Sequence, residues 1–413
     1  MEINLIPAFA GSNPAGAATK NIERELIMAE RALAHVEKIA WIRPIDGADN
    51  IELVGILGWK CIAKKGEFNV DDKCVYIEID SLVNKDDERF EFLESKKYKV
   101  KTMKLGKFNC ISQGLALPLT LFPEISNKNI GDNVTKELKI TYYSADDIAR
   151  KSSGDPNAKY KSMSQRHKNL FKKKSIRWLM RREWGRKLLF FFFGKKKDKP
   201  KDFPSWIVKT DETRIENAPF YLESTDKWVK SEKIDGTSST YFVDYTKKKK
   251  GEFGVCSRNV RQQDEKQECY HTCGNVYWEM VGKYNIEKSL RAIAKDNNIK
   301  RIVLQGETFG ESLQGNPYKL KGRDFRAFNL IFDGIRLGSI EAKNILEKYN
   351  IPFVPIISEE YEIPHTIEEM KAEADGYSVI NPDVKREGFV YRSQDGSKSF
   401  KNVSVEYLLK HNG

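Results

Sequence analysis

The sequence predicts an α+β protein in which a front module of short strands precedes a larger domain of strands mixed with a few helices. Three observations carry that expectation. From about Arg31 to Leu121 short apolar runs recur between turn residues, from Lys159 to Lys201 the composition turns strongly basic, and beyond Phe203 strand-like runs alternate with stretches of helical spacing. These regions divide the chain into a leader at 1–28 rich in Gly, Ala, Ser and Asn, a strand module at 29–143, a basic linker at 144–202 and a second domain at 203–413. At 413 residues and 47.6 kDa, with 40% apolar and 31% charged side chains, each domain can bury its own core.

In the front module Val75, Ile77 and Ile79 alternate with Tyr76, Glu78 and Asp80, the period of a strand. Further strands are expected at Ile51 to Leu57, Trp59 to Ala63, Tyr98 to Leu105 and Ile111 to Leu119. Five or so short strands in this span suit a small barrel of the OB type, with another small barrel or sandwich as the alternative. Lys97, Lys99, Lys101 and Lys104 offer a basic strand face that would track a phosphate backbone or simply meet solvent. Trp59 and Phe108 are stacking platforms or, more ordinarily in so small a barrel, core.

Six cysteines are too few and too scattered for a disulfide scaffold, which points to a reducing, intracellular and cytoplasmic setting. Cys269, His271 and Cys273 stand close together, yet a structural zinc site needs four ligands and no second pair is near. No apolar run reaches the roughly 18 residues that span a bilayer, and the acidic Glu2 sits where a secretory signal would carry a base.

The net charge of +12 points to a polyanionic partner, and its distribution is uneven. Residues 159–201 hold 17 Lys or Arg against Glu183 and Asp198, a local +15 that leaves −3 for the rest of the chain. Ile176, Arg177, Trp178, Leu179, Met180 and Trp184 read as a basic amphipathic helix that runs into the apolar cluster Leu188 to Phe193. RNA held through phosphate charge and base stacking ranks first for this arm. Docking of its aromatics on a neighbouring domain ranks next, then contact with an anionic membrane surface through 159–201.

In the second domain helices are expected over Asn275 to Ala294, Ser339 to Tyr349 and Thr366 to Ala374. Its focal stretch is Lys230-Ser-Glu232-Lys233-Ile-Asp235-Gly236-Thr237, a lysine two residues ahead of an Asp-Gly turn between strand-like runs. Such a corner holds an amine at the base of a pocket, and glycine admits the positive φ that a tight turn often needs. Lys-x-Asp-Gly alone arises by chance roughly once in ten chains of this length. Its weight comes from an ordered series of downstream motifs: Ser257-Arg258-Asn259, Gly306-Glu307, Phe328 with Phe332, Glu387-Gly388, and Lys398 with Lys401.

Together these motifs resemble the covalent nucleotidyltransferases, the superfamily of DNA ligases, RNA ligases and mRNA capping enzymes. The resemblance spans about half the chain and implies an adenylation domain of antiparallel sheets with flanking helices. Three features narrow it to ATP-dependent RNA ligases: Lys209-Thr-Asp-Glu ahead of the lysine, Gln314-Gly-Asn-Pro-Tyr318 after Glu307, and an end soon after Ser399 to Lys410, without room for a carboxyl-terminal OB domain. An OB module in front, closed by Ile111 to Pro118, is similar to RNA ligase family five.

The resemblance implies an ATP-using enzyme that joins 3′-OH and 5′-phosphate RNA ends, in a nicked or broken duplex, through lysyl-AMP and adenylated RNA. Lys233 matches the adenylated lysine. The implied nucleotide-binding set is Glu232, Asp235, Gly236, Arg258, Glu307, Phe328 or Phe332, Lys398 and Lys401, and the implied ligands of Mg²⁺ or Mn²⁺ are Asp235, Glu307 and Glu387. A lysine of ordinary pKa, about 10.4, is protonated at neutral pH, so the nucleophile needs burial, nearby cations or a metal to lose its proton. Arg258, Lys398 and Lys401 are the cationic candidates, and no obligate protein partner is implied. Two departures stand out: Ser399 replaces the first lysine of the last motif, with Lys398 shifted by one, and the basic insert is no part of the family pattern. The rival readings are a DNA ligase or capping enzyme, and a non-catalytic RNA- or membrane-binding protein on a ligase fold.

Overall fold

The computed structural model describes residues 32–142, 201–262 and 275–411. The leader, the basic arm apart from the backbone of Lys201–Asp202, and the Cys269, His271 and Cys273 group lie outside these residues.

The front module comprises β1 (Ala34–Lys38), β2 (Trp41–Pro44), β3 (Ile51–Ile56), β4 (Trp59–Lys64), β5 (Lys73–Ile77), β6 (Ser81–Leu82), β7 (Lys99–Val100), β8 (Thr102–Leu105), β9 (Cys110–Gln113), β10 (Leu115–Pro118) and β11 (Thr141–Tyr142). Strand β5 lies between β1 and β10, while β2, β3 and β4 form an antiparallel meander. The alternation along β5 is present, but neither face meets solvent. Val75 and Ile77 pack with Ala34, Val36, Phe90, Leu117 and Phe122, whereas Cys74 and Tyr76 pack on the other side with Trp59, Ile56 and Cys61. Trp59 is therefore core and not a stacking platform.

Two expected strands are broken by left-handed backbone. Lys97 and Tyr98 (φ 55° and 59°) close a 3₁₀ helix over Glu88–Lys96, so Lys97 caps that helix and does not share a strand face with Lys99 and Lys101. Gly114 (φ 99°) divides β9 from β10.

The second domain comprises β12 (Lys201–Asp202), β13 (Thr213–Arg214), β14 (Trp228–Lys233), β15 (Thr237–Asp244), β16 (Glu252–Ser257), β17 (Val260–Gln262), β18 (Arg301–Gly310), β19 (Arg323–Phe332), β20 (Ile335–Arg336), β21 (Ile356–Tyr361), β22 (Gly388–Ser393) and β23 (Ser399–Val403). Its helices are α1 (Val276–Lys283), α2 (Ile286–Asp296), α3 (Ser339–Glu347), α4 (Ile367–Ala374) and α5 (Val405–His411). The single helical stretch expected from Asn275 is two helices, because Asn285 takes φ 49° and re-aims the chain. Thr366 caps α4 by accepting from the Glu369 N–H.

The strands form a seven-stranded sheet, β12-β17-β16-β15-β18-β19-β20, and a five-stranded sheet, β13-β23-β22-β14-β21. Among the described strand pairings of these two sheets, β13–β23 alone is parallel. Helices α1, α2 and α3 cover the larger sheet through Met280, Leu290, Ile293 and Leu346 against Tyr241, Leu304 and Leu330. In the smaller sheet Tyr391 stacks on Phe400 with ring centroids 4.8 Å apart, and Trp228 meets Phe400 edge-on.

Strands β14 and β15 are consecutive in sequence yet belong to different sheets. The Asp235–Gly236 corner is thus a crossing between sheets and not a hairpin turn. Gly236 does not use positive φ there. It is required because a Cβ would stand 2.4 Å from the Thr308 carbonyl oxygen.

The two domains are joined by buried polar contacts. Asn217 accepts from the Trp59 indole and donates to Glu78, Arg214 reaches Asp80 at 3.2 Å, and the Lys371 ammonium donates to Gln113 Oε1 at 2.8 Å. Val403 and Leu408 pack into the Trp59 cluster.

Candidate active site

Lys233 ends β14 opposite Gly388, the first residue of β22. This register brings the carboxylate of the preceding Glu387 to the amine, with Nζ to Oε1 at 2.6 Å. Gly388 sits at φ 149° with its α-carbon against the Asn402 carbonyl, a close approach that no side chain permits. Asp235 is gripped twice: its N–H donates to Tyr318 Oη (2.8 Å) and its carboxylate accepts from Tyr407 Oη (2.7 Å). Glu307 enters from the other sheet, on β18 in register with Ser238.

Three carboxylates therefore face one amine. Burial, then the charges of Glu387 and Asp235, push the Glu307 carboxyl up to about 8, although Lys233 and Arg258 oppose this. Burial and Glu387 likewise push Asp235 up to about 6 against Lys233 and the Tyr407 hydrogen bond. Burial alone would depress Lys233, but the charge and hydrogen bond of Glu387, with Glu307 and Asp235, outweigh it and raise the amine above the ordinary lysine value. Of the three routes to a free amine, burial, nearby cations or a metal, the first is outweighed and the second is not what adjoins Lys233. The groups next to it are acids, so the nucleophile is released only when they are neutralised.

Those acids suit a hydrated divalent cation. Glu387 Oε2 is buried without a hydrogen-bond partner, and three mutually repelling carboxylates gain most from a cation between them. Among the described residues no three His, Cys, Asp or Glu side chains converge as a preformed cage. Magnesium does not need one, since it keeps waters and takes one or two carboxylates together with substrate phosphates.

The proposed phosphate-binding cations separate into two groups. Arg258, after β16, and Lys401, on β23, come from different sheets and meet at one carboxylate, Asp211, at 3.3 and 2.8 Å. The Arg258 guanidinium also lies 5.1 Å from the centroid of the Tyr142 ring. Lys398 is not brought to this site. Its side chain is 43% exposed and its ammonium pairs with Asp226 at 3.0 Å, beyond Trp228 at the far end of β14. Trp228 is five residues from Lys233, roughly 17 Å along a strand.

At the Ser399 position the charge comes from elsewhere. Arg392, its partner across β22, reaches Glu212 at 2.8 Å, and Arg336 reaches Ser399 Oγ at 3.2 Å. Asp211, Glu212, Arg336, Arg392, Tyr142, Tyr318 and Tyr407 carry no role that sequence reasoning assigned. Asp211 and Glu212 in the Lys-Thr-Asp-Glu segment, and Tyr318 at the end of Gln314-Gly-Asn-Pro-Tyr318, were visible as motif members without a role.

Glu232 alternates with Lys233 and points to the other side of β14. Its carboxylate accepts from Ser378 Oγ and from Val379 N–H (2.7 Å), and burial raises it above the usual range against these hydrogen bonds. Arg386 holds that loop by donating to the carbonyls of Ala374, Asp375 and Tyr377. Phe328 is partly buried, with the Arg392 guanidinium 5.8 Å from its ring centroid. Phe332 is not brought to the site: it pairs with Ile302 and Ile335, whereas Glu307 pairs with Arg326. Ile302 lies five residues from Glu307, again roughly 17 Å along the strand.

An OB-fold domain model matches residues 33–119 and the RNA ligase family model matches residues 226–410. Solved structures of Naegleria gruberi RNA ligase are similar at 30% identity: an apo mutant with TM-score 0.72, covering 93% of this chain and 99% of that one, and a mutant with AMP and Mn, with TM-score 0.71 and coverages of 92% and 99%. A further mutant, with ATP and Mn, also has TM-score 0.71, with coverages of 93% and 99%. No curated protein matches. The sheet-crossing lysine, the acids around it and likeness over nearly the whole length make the chain a member of the RNA ligase family, an ATP-dependent RNA ligase with an amino-terminal OB-fold domain.

Proposed function

We propose that this ligase seals RNA 3′-OH and 5′-phosphate ends in three steps. The Lys233 amine, freed of its proton, attacks the α-phosphorus of ATP in line, forming an N–P bond as pyrophosphate leaves. An RNA 5′-phosphate oxygen then displaces the amine from the lysyl-AMP, and the RNA 3′-OH attacks that activated phosphate and expels AMP. The observation that carries this reading is the 2.6 Å approach of Glu387 to Lys233, with Asp235 and Glu307 around the same amine.

Each neighbouring residue has a part. Asp235, Glu307 and Glu387 would hold Mg²⁺ or Mn²⁺, which when bound neutralises developing phosphate charge. The Naegleria structures with ATP or AMP and Mn support that cofactor pair. Arg258 and Lys401 move from Asp211 to substrate phosphate, Phe328 stacks on the adenine, and Glu232, with Gly236 leaving room at the corner, shapes the nucleotide pocket.

RNA remains the favoured partner of the basic segment. Tyr142, the last described residue before it, lies against Arg258, and Lys201–Asp202 after it pair with Val260–Arg261, just past Arg258. The described residues that flank 143–200 on either side therefore lie beside Arg258, which supports a polyanion at the active site over a membrane surface. Among the described residues no helix is long and apolar enough to cross a membrane. The free thiols of Cys61, Cys74, Cys110 and Cys256 support an intracellular setting.

The test is Lys233→Ala assayed on RNA already carrying a 5′-adenylate. The variant should fail to use ATP yet retain sealing of the pre-adenylated strand, because only the first two steps need the amine. A folded variant that loses both activities would contradict the assignment.

A further inference from the structure

The hydrogen bond from Tyr407 to Asp235 joins the proposed chemistry to the carboxyl-terminal helix. The first turn of α5 is tied to the site by backbone as well: the Ser404 N–H donates to the Glu387 carbonyl (2.8 Å), and Ser404 Oγ accepts from the Tyr407 N–H (3.1 Å) and donates to Asp375 (2.6 Å). Ser404 thus acts as the helix cap and fixes where Tyr407 begins. The Tyr407 side chain is 3% exposed, so its ring has little freedom, and its hydroxyl meets Asp235 Oδ2 at 2.7 Å. Tyr318 thus holds the Asp235 backbone, and the Tyr407 hydroxyl restrains the carboxylate through Oδ2, with Oδ1 outside that bond.

We propose that Tyr407 is a positioning residue for lysine adenylation, its hydroxyl holding the Asp235 carboxylate in the orientation that faces the Lys233 amine. This rests on the lysyl-AMP reading above. Tyr407 acts through Asp235 and not on the reacting atoms. Removing the hydroxyl leaves the ring, the cap and the helix in place but lets the carboxylate turn.

The test measures labelling of the full-length protein by α-labelled ATP as a function of ATP concentration, alongside thermal melting. Tyr407→Phe should slow saturating labelling about tenfold or more, with the half-saturating ATP concentration within about twofold and melting within about 2 °C of wild type. In an Asp235→Asn background the same change should cost less than about twofold, because the two residues act as one unit. Leu408→Ala, which loosens α5 from the front barrel without touching Asp235, should lower melting yet keep saturating labelling within about twofold. The inference is overturned if Tyr407→Phe labels at the wild-type rate, if it slows Asp235→Asn by the same factor, or if Leu408→Ala slows labelling equally. An unlabelled wild-type protein would overturn the lysyl-AMP reading itself.

Discussion

Lys233 Nζ lies 2.6 Å from Glu387 Oε1, across the β14–β22 pair, and this contact keeps the amine protonated in the nucleotide-free protein. Two roles for Glu387 are open in principle, and they predict opposite outcomes. As a mere brake on the amine, its loss would speed adenylation. As a holder of the cation that accompanies ATP, its loss slows adenylation. Glu387→Gln should lower the labelling rate at least about 100-fold, measured at saturating ATP and metal. Since the free amine grows about tenfold per pH unit below a raised pKa, the wild-type rate should climb from about pH 6 to 9 wherever deprotonation limits it.

Lys398 and Lys401 differ in their surroundings as sharply as two nearby lysines can. An exposed pair such as Lys398–Asp226 contributes roughly 0–1 kcal/mol. Lys398→Ala should therefore leave nick sealing within about twofold of wild type. Lys401→Ala removes a side chain, only 10% exposed, whose ammonium shares Asp211 with Arg258, and should cost about 100-fold or more in sealing rate.

Glu307 carries a stability cost. Its folded pKa, about 8, lies above the unfolded value of 4.5, so its favourable contribution is complete below pH 4.5 and is lost as pH rises towards 8. Glu307→Gln should stabilise the ligand-free protein by up to about 4 kcal/mol at pH 7.5, while abolishing adenylation. The gain should shrink towards zero near pH 4.5, as urea denaturation at a series of pH values would show.

His35, in the front barrel, predicts the opposite pH trend. Burial opposes its charge, but Glu37 at 2.8 Å and Glu78 outweigh this and raise the imidazole to about 9. Its stabilisation is fully present below pH 6.5 and is lost as pH rises through 9. His35→Gln should cost about 2 kcal/mol at pH 7, and the difference from wild type should vanish by about pH 10. Because Glu78 also accepts from Asn217, the variant should weaken the domain interface as well.

The motif residues were legible because each is a short local string, and the structure draws Lys233, Asp235, Glu307 and Glu387 together and places Arg258 and Lys401 at one carboxylate. What the string did not reveal is which sheet each strand joins. The strand-like runs on either side of the Asp-Gly turn read as neighbours, yet β14 pairs with β22 and β15 with β18, at least 57 residues away, and they join separate sheets. The same blindness to long-range pairing left Phe332 and Lys398 among the site candidates, since distance along a strand depends on its neighbours. Tyr407 was invisible for another reason: its role comes from a helix cap and a hydrogen bond across 172 residues.

Every role proposed for this site depends on Lys233 carrying the nucleotide. The most direct measurement is incubation of the purified protein with α-labelled ATP and Mg²⁺ or Mn²⁺, followed by a denaturing gel and mapping of the labelled peptide. One labelled band at the protein's mass is expected, with the label on the peptide containing Lys233 and none in Lys233→Ala. Label on a different lysine, or no label in protein shown to be free of bound AMP, would contradict this assignment.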